Sequence, residues 1–193
     1  MTNNIVKAKI SDIEIIVNMH MKCISDSFFS YLGEKFLRII YSKLVSSKYA
    51  STYVYIENNQ VTGYISFVLN KKLIFIEILF FKCFAILFSL RFKPFFKCIF
   101  YCFNSIEYII KKQYCKAEFL FIAVEPAFRN NNIASALITF AENILKQKNI
   151  YKIQVSVRDS NYISQNLLKN KNYIFYRIIN FYGKKMHMYH KLL

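Results

Sequence analysis

The stretch from Phe119 to Leu145 constrains this chain more than any other. An apolar, strand-like run, Phe119 to Val124, ends in the short turn Glu125-Pro126-Ala127-Phe128-Arg129-Asn130-Asn131-Asn132. A helix follows, with apolar residues at Ile133, Leu137, Ala141, Ile144 and Leu145. The first N–H groups of such a helix find no partner within it and all point one way. With the helix dipole behind them they suit a phosphate or pyrophosphate, and Arg129 stands at the edge of the turn. The same residues also read as an ordinary strand–turn–helix junction, so the rest of the chain has to decide.

A length of 193 residues suits one domain, 1–193, with a real core. At 55% hydrophobic and 18% aromatic, with three glycines and two prolines, the composition excludes a disordered or collagenous chain. Lys and Arg number 27 against 11 acids, a net charge of +16, which favours anionic partners. No zinc-finger spacing or aromatic–glycine RNA-binding signature is present, so no nucleic acid partner is expected. The five cysteines, an odd number without a C-x-x-C pair, do not form a disulfide framework. Cys98 and Cys102 lie one helical turn apart with no further ligands evident, so the thiols read as reduced and mostly buried in a cytoplasmic protein, and no metal is expected. The polar start, Met1 to Asn4, lacks the apolar region of a signal peptide.

Ile5 to Ile10 alternates as a first strand, and Ser11-Asp12-Ile13-Glu14 has the pattern of a capping box opening a helix to about Ser25. A second helix is predicted from Glu34 to Ser47, with Phe36, Leu37, Ile40, Tyr41 and Leu44 on one face. Thr52 to Glu57 and Val61 to Leu69 form a hairpin through Asn58-Asn59-Gln60. Lys71 to Lys112 is dense in Phe, Ile and Leu and is broken by Pro94; it reads as two or more amphipathic helices, with charge-free runs of about eight residues that cannot span a bilayer. A strand (Ala117 to Val124), a helix (Asn132 to Lys148), a strand (Tyr151 to Val157), a helix (Tyr162 to Lys171) and two strands (Tyr173 to Phe181, Lys184 to Lys191) complete the chain, Gly183 turning between the last two. His187 and His190, three apart in a strand, face opposite ways and cannot readily share a metal.

Arg129-Asn130-Asn131-Asn132-Ile133-Ala134 resembles the Arg/Gln-x-x-Gly-x-Gly/Ala signature of the GNAT acyltransferases, with Asn132 at the central glycine. Asn is the non-glycine residue that best tolerates a left-handed backbone. The element order resembles the family over nearly the whole chain, and so does Asn161-x-x-Ser164-x-x-Leu167-Leu168-x-x-Lys171-Asn172-Tyr173. There Asn172 again replaces a glycine, and Leu168 stands where a tyrosine often protonates the departing thiolate. The resemblance implies an α/β GNAT fold, a mixed central sheet of about seven strands flanked by helices, with a helical hydrophobic insert, 71–112, between strands 3 and 4.

It further implies transfer of acetyl from acetyl-CoA, a co-substrate, to a primary amine by direct attack in a ternary complex. Glu118, eleven residues before Arg129, matches a catalytic glutamate of several members; the plain alternative is a charged strand-start residue, solvated or paired with Lys116. The backbone of Ile122, Ala123 and Val124 would pair with the pantetheine arm as an added strand does. Arg129, Asn130, Asn131, Asn132, Ile133, Ala134 and Ser135 would hold the pyrophosphate, and Asn161 the pantetheine portion, a role compatible with helix capping. His20, Phe28, Gly33 and the ending Met186-His187-Met188-Tyr189 resemble a narrower group from bacterial surface-polysaccharide pathways that acetylates amino sugars, often nucleotide-linked. His20, Asp26, Ser27 and Tyr31 are the acceptor-side candidates, the plainer and favoured reading of His20 being a surface or partly buried helix histidine. The acceptor alternatives are a protein N-terminus or a polyamine. The non-enzyme alternative is a degenerate module binding a membrane or partner. The insert would wall the acceptor pocket, rest on the inner face of the membrane through its basic edge, or form a homodimer interface.

Overall fold

The computed structural model describes residues 4–70, 73, 74, 77, 115–181 and 183–193. The expectation for 71–112 therefore lies outside the described residues, which include only Leu73, Ile74 and Glu77 of that stretch. In chain order the elements are β1 (Ile5–Lys7), α1 (Ile13–Cys23), α2 (Phe28–Tyr31), α3 (Glu34–Ser46), β2 (Ala50–Glu57) and β3 (Gln60–Val68). Then come β4 (Ala117–Val124), α4 (Ile133–Gln147), β5 (Lys152–Arg158), α5 (Tyr162–Asn170), β6 (Ile174–Phe181) and β7 (Lys184–Leu192). The strands form one seven-stranded sheet in the order β1-β2-β3-β4-β5-β7-β6. Only β4 and β5 run parallel; the other neighbours are antiparallel. The expected mixed sheet flanked by helices is present.

Apolar periodicity assigns the layers. On one face, Ile16 and Val17 of α1 and Leu37, Ile40, Tyr41 and Leu44 of α3 pack over Val54, Tyr64, Val68, Phe121 and Ala123. On the other, Ile133, Leu137, Ile138, Ala141 and Leu145 of α4, with Leu168 of α5, cover Ile65, Phe67, Phe119, Ile153 and Val155. Each side chain fully buried in these layers stabilises by about 1.5–3 kcal/mol.

The first strand is shorter than the alternation predicted. Ile10–Asp12 is a 3₁₀ turn, and Asp12 accepts from the Lys9 N–H at 2.7 Å. That bond closes the 3₁₀ turn; α1 begins at Ile13, and Asp12 before it makes no side-chain cap bond, so the capping box expected at Ser11 is not formed. The sequence also gave no sign of α2, a single turn whose start is capped by Ser27 accepting from Ser30 N–H at 2.9 Å.

Left-handed backbone is supplied mostly by asparagine. Among the described residues, the non-glycine positions with positive φ are Asn58, Asn59, Asn130, Asn132, Asn149 and Asn172. Asn58 and Asn59 make the two-residue turn of the β2–β3 hairpin, where Glu57 pairs Gln60. Asn149 and Asn172 follow the ends of α4 and α5, as helix C-termini require.

Candidate active site

β4 changes its partners halfway along. Ala117, Glu118 and Phe119 pair β5 at Ile153, Gln154 and Val155; among the described residues the pairing of the two strands stops there. Leu120 has no place in the β3–β4 register, which passes from Phe67↔Phe119 to Ser66↔Phe121, a β-bulge. From the bulge onward β4 stays with β3 and leaves β5. The direction of its backbone groups follows from one bond. Glu125 N–H donates to Thr62 O at 2.8 Å. In an antiparallel ladder such residues alternate, so Ala123 and Phe121 also address β3, while Ile122 and Val124 address the gap.

Both faces of this open half are clamped. α1 covers one: the His20 ring lies edge-on to Phe121 with centroids 4.8 Å apart, the Cys23 thiol donates to Val124 O at 3.6 Å, and Lys22 ion-pairs with Glu125. α4 covers the other, and Gly63 of β3 permits it. A Cβ on Gly63 would stand 3.0 Å from Ile133 Cγ2 and 3.2 Å from Ala123 O, so any other residue there would press on the start of α4.

At the end of β4 a 3₁₀ turn, Pro126–Phe128, leads to Arg129, whose Nε donates to Val124 O at 3.2 Å. Asn130 (φ 65) and Asn132 (φ 59) are left-handed, as expected of Asn132. Asn132 directly precedes α4 and makes no side-chain cap bond. The first intrahelical bond there runs from Ala136 N–H to Asn132 O at 2.9 Å, which places the N–H groups of Ile133, Ala134 and Ser135 before the ladder begins. No acid lies in the first turn of α4. The turn is therefore shaped for an anion, and it lies where the open edge of β4 ends. Asn161 caps α5, accepting from Ser164 N–H at 3.1 Å.

Glu118 sits on the closed side of the bulge. Ala117 and Phe119 face α4, so Glu118 faces the α1–α3 layer. It is 3% exposed, and its Oε2 accepts from Gln154 Nε2 at 2.8 Å, while Tyr176 donates to Gln154 Oε1 at 3.2 Å. The solvated strand-start alternative is thus not what the structure shows. Leu168, at the position of the family's tyrosine, is buried in the α4-side core.

The acceptor-side candidates gather at the joint between α1 and α2. His20 is completely buried. The hydrogens of its network can be counted. Ser30 Oγ donates to Ile24 O at 2.7 Å, so across the 2.8 Å contact Ser27 donates to Ser30. With the Ser27 hydrogen spent, His20 Nε2–H donates to Ser27 Oγ at 3.1 Å. Nδ1 is then the acceptor, and Tyr41, 2.6 Å away, donates to it; Tyr64 donates to Tyr41 at 2.7 Å. One directed chain, Tyr64→Tyr41→His20→Ser27→Ser30, satisfies every member with a neutral imidazole. Burial agrees, pushing the His20 pKa down to about 4 and those of Tyr41 and Tyr64 up. Ser27 Oγ, taking hydrogens from both His20 and Ser30 N–H, has its lone pairs filled. Asp26 points the other way, ion-paired with Arg158 at the end of β5, and Tyr31 is 56% exposed.

The seven-stranded mixed sheet, its flanking helices and the parting of β4 from β5 are those of an acyltransferase fold. Over residues 17–173 the chain matches the acetyltransferase (GNAT) family, and it belongs to that family. It is an N-acetyltransferase, and the family uses acetyl-CoA. Solved structures agree on the fold. The ribosomal-protein-S18-alanine N-acetyltransferase of Escherichia coli superposes with a TM-score of 0.64 at 11% identity, covering 97% of this chain and 92% of its own. An N-acetyltransferase of Staphylococcus aureus Mu50 gives 0.64 at 18%, covering 97% and 96%. The PaiA N-acetyltransferase of Thermoplasma acidophilum, solved with coenzyme A, gives 0.61 at 13%, covering 98% of each chain. No curated protein matches the sequence. Among the described residues no cluster of His, Cys, Asp and Glu could hold a metal, and no helix is long and apolar enough to cross a membrane.

Proposed function

We propose that the protein acetylates the primary amine of an amino sugar, free or nucleotide-linked, in surface-glycan biosynthesis. The observation that carries the acetyl-CoA part is the open edge of β4 running into the left-handed Asn130–Asn132 turn. The donor brings the activated acetyl thioester, and the chain's residues do the rest. Ile122 and Val124 offer backbone groups to an extended amide-bearing arm. Arg129 and the N–H groups of Ile133, Ala134 and Ser135 receive the pyrophosphate, with Asn130, Asn131 and Asn132 shaping the loop. Asn161, across the gap at the start of α5, is the candidate for the rest of the arm.

Glu118 is the base that takes the ammonium proton, directly or through a water. It lies at the closed end of the gap, fixed by Gln154. His20 and Ser27 serve the acceptor by holding rigid the joint that presents Tyr31 and seats Asp26 against Arg158, since their own hydrogen bonds are used within it.

The amino-sugar part rests on His20, Phe28, Gly33 and the Met186–Tyr189 ending, and on charge. A net charge of +16 attracts an anionic acceptor and repels a polycation such as a polyamine, the acceptor class of the spermidine N-acetyltransferase SpeG chimera, which has the same fold at 15% identity. The test is an acceptor panel at saturating acetyl-CoA: hexosamines, nucleoside-diphosphate hexosamines, spermidine and alanine-ended peptides. The highest kcat/KM is expected for a sugar. A preference for spermidine or for peptides would overturn that reading and leave the acetyl-CoA site standing.

A further inference from the structure

Two cations share one carboxylate at the outer end of β5. Arg158 ion-pairs with the Asp26 carboxylate and also donates to the Asp26 carbonyl. Lys184, the first residue of β7, donates to the same carbonyl at 2.8 Å and lies 3.9 Å from Asp26 Oδ2. The Asp26 side chain is 65% exposed, so a soluble ion can reach this junction. Arg158, Asp159, Ser160, Lys184 and Lys185 line an open depression of about 360 Å³ beside it. Asp159 is engaged by His187, whose Nε2 is 2.7 Å from its Oδ1. Arg158, Lys184 and Lys185 here face two carboxylates, Asp26 and Asp159. Burial lowers the pKa of Arg158, and burial with the Arg158 charge lowers that of Lys184. With three cations against two carboxylates, the junction keeps an excess of positive charge.

The place matters as much as the charge. Arg158 ends the strand that β4 leaves. Asp26 stands three residues beyond Cys23, whose thiol touches Val124 O on the other lip. The depression therefore opens beside the gap, on the opposite lip from the Arg129 turn.

We propose that this depression seats a phosphate of the acceptor. A planar guanidinium with an ammonium beside it suits a phosphate, which accepts two parallel bonds from the first and a point charge from the second. In this arrangement the phosphate takes the place of the Asp26 carboxylate, and the amine reaches into the gap towards Glu118. The proposal rests on the amino-sugar reading and narrows it to phosphorylated or nucleotide-linked amines.

The probe is inorganic pyrophosphate, titrated calorimetrically into the full-length protein already saturated with coenzyme A, so that the Arg129 turn is filled. Saturable binding is expected. Lys184→Gln, a change at an exposed turn residue, should weaken it about tenfold, and Arg158→Gln at least as much. Asp26→Asn removes the competing carboxylate and should tighten it several-fold. That opposite sign separates a seat for anions from general attraction to a basic chain. No binding, or equal affinity in the wild type, Lys184→Gln and Asp26→Asn, overturns the proposal.

Turnover of glucosamine, glucosamine 6-phosphate and a uridine-diphosphate-linked glucosamine then identifies the source of the phosphate. Lys184→Gln should raise KM for whichever phosphorylated amine is used and leave plain glucosamine unaffected. Pyrophosphate binding with the expected mutant pattern but no sugar turnover would sink the amino-sugar reading and keep the anion seat. Turnover of plain glucosamine that equals that of both phosphorylated forms would do the reverse.

Discussion

The two halves of β4 differ in a way that divides the labour of the site. Glu118 and Phe119 are held on both sides, by β3 and by β5, and Glu118 buries its carboxylate against Gln154. Past the bulge at Leu120, among the described residues, the strand keeps only β3, and the backbone of Ile122 and Val124 faces a gap. Held on both sides, a strand fixes a side chain's position to a fraction of an ångström, which proton transfer needs. Open on one side, it is a template for another extended chain. Such an edge at the rim of a sheet invites aggregation. Here it lies inside the sheet, with α1 on one face and α4 on the other.

The largest effect should come from the closed half. Glu118→Gln keeps shape and removes basicity, so kcat should fall about 10²–10⁴-fold while the dissociation constant for acetyl-CoA barely moves. Single-turnover kinetics and calorimetry on the same variant check both numbers, and turnover near that of the wild type would remove Glu118 from the mechanism.

Next is the joint beside the open half. In the unfolded chain His20 takes up a proton near its ordinary pKa of 6.5, but in the fold only near 4, because burial penalises the charged ring. Its folded pKa is depressed, so its contribution to stability is complete above pH 6.5 and is lost as the pH falls towards 4. The loss reaches about 3 kcal/mol. Urea unfolding of the wild type and of His20→Gln across that window should show the slope only in the wild type; parallel curves would contradict the directed chain.

A change on the α4 side separates the halves more directly. Gly63→Ala forces its Cβ against Ile133 and Ala123 O, and overpacking of this kind costs about 1–3 kcal/mol. The strain falls on the start of α4, so acetyl-CoA affinity should drop with the melting temperature. A variant of wild-type stability and affinity would mean that α4 does not depend on that approach. The smallest effect concerns Asn132. Asn132→Gly should keep or slightly improve affinity for acetyl-CoA, and Asn132→Val, a β-branched residue in a left-handed site, should cost about 1–2 kcal/mol. Equal affinities would count against the loop shape.

The comparison also shows what a sequence can reveal. The strand–turn–helix at Ala117–Gln147 was legible because its signals are local: an apolar run, a cluster of asparagines, then a 3.6-residue period. The left-handed Asn132 and Asn172 were legible for the same reason, since a chain with three glycines must turn with something else. The bulge at Leu120 was not, because Phe-Leu-Phe-Ile-Ala-Val reads the same whether one residue is skipped or none. Nor was the close approach at Gly63, which sits in an ordinary-looking hairpin strand and owes its meaning to a helix 70 residues later. Tyr41 was read correctly as core, but nothing marked it as the donor to His20, 21 residues away. Arg158 and Lys184 looked like a strand end and a turn, and only the fold carries them across 132 and 158 residues to Asp26.

Amide hydrogen exchange resolved by residue, with and without saturating acetyl-CoA, tests the division of β4 most directly. The amides of Ile122, Val124, Ile133, Ala134 and Ser135 should gain about tenfold or more in protection, since the proposed donor would supply each with a partner. Those of Ala117, Glu118 and Phe119, already zipped, should hardly change. Binding that leaves Ile122 and Val124 unprotected, or no binding at millimolar acetyl-CoA, would contradict the account.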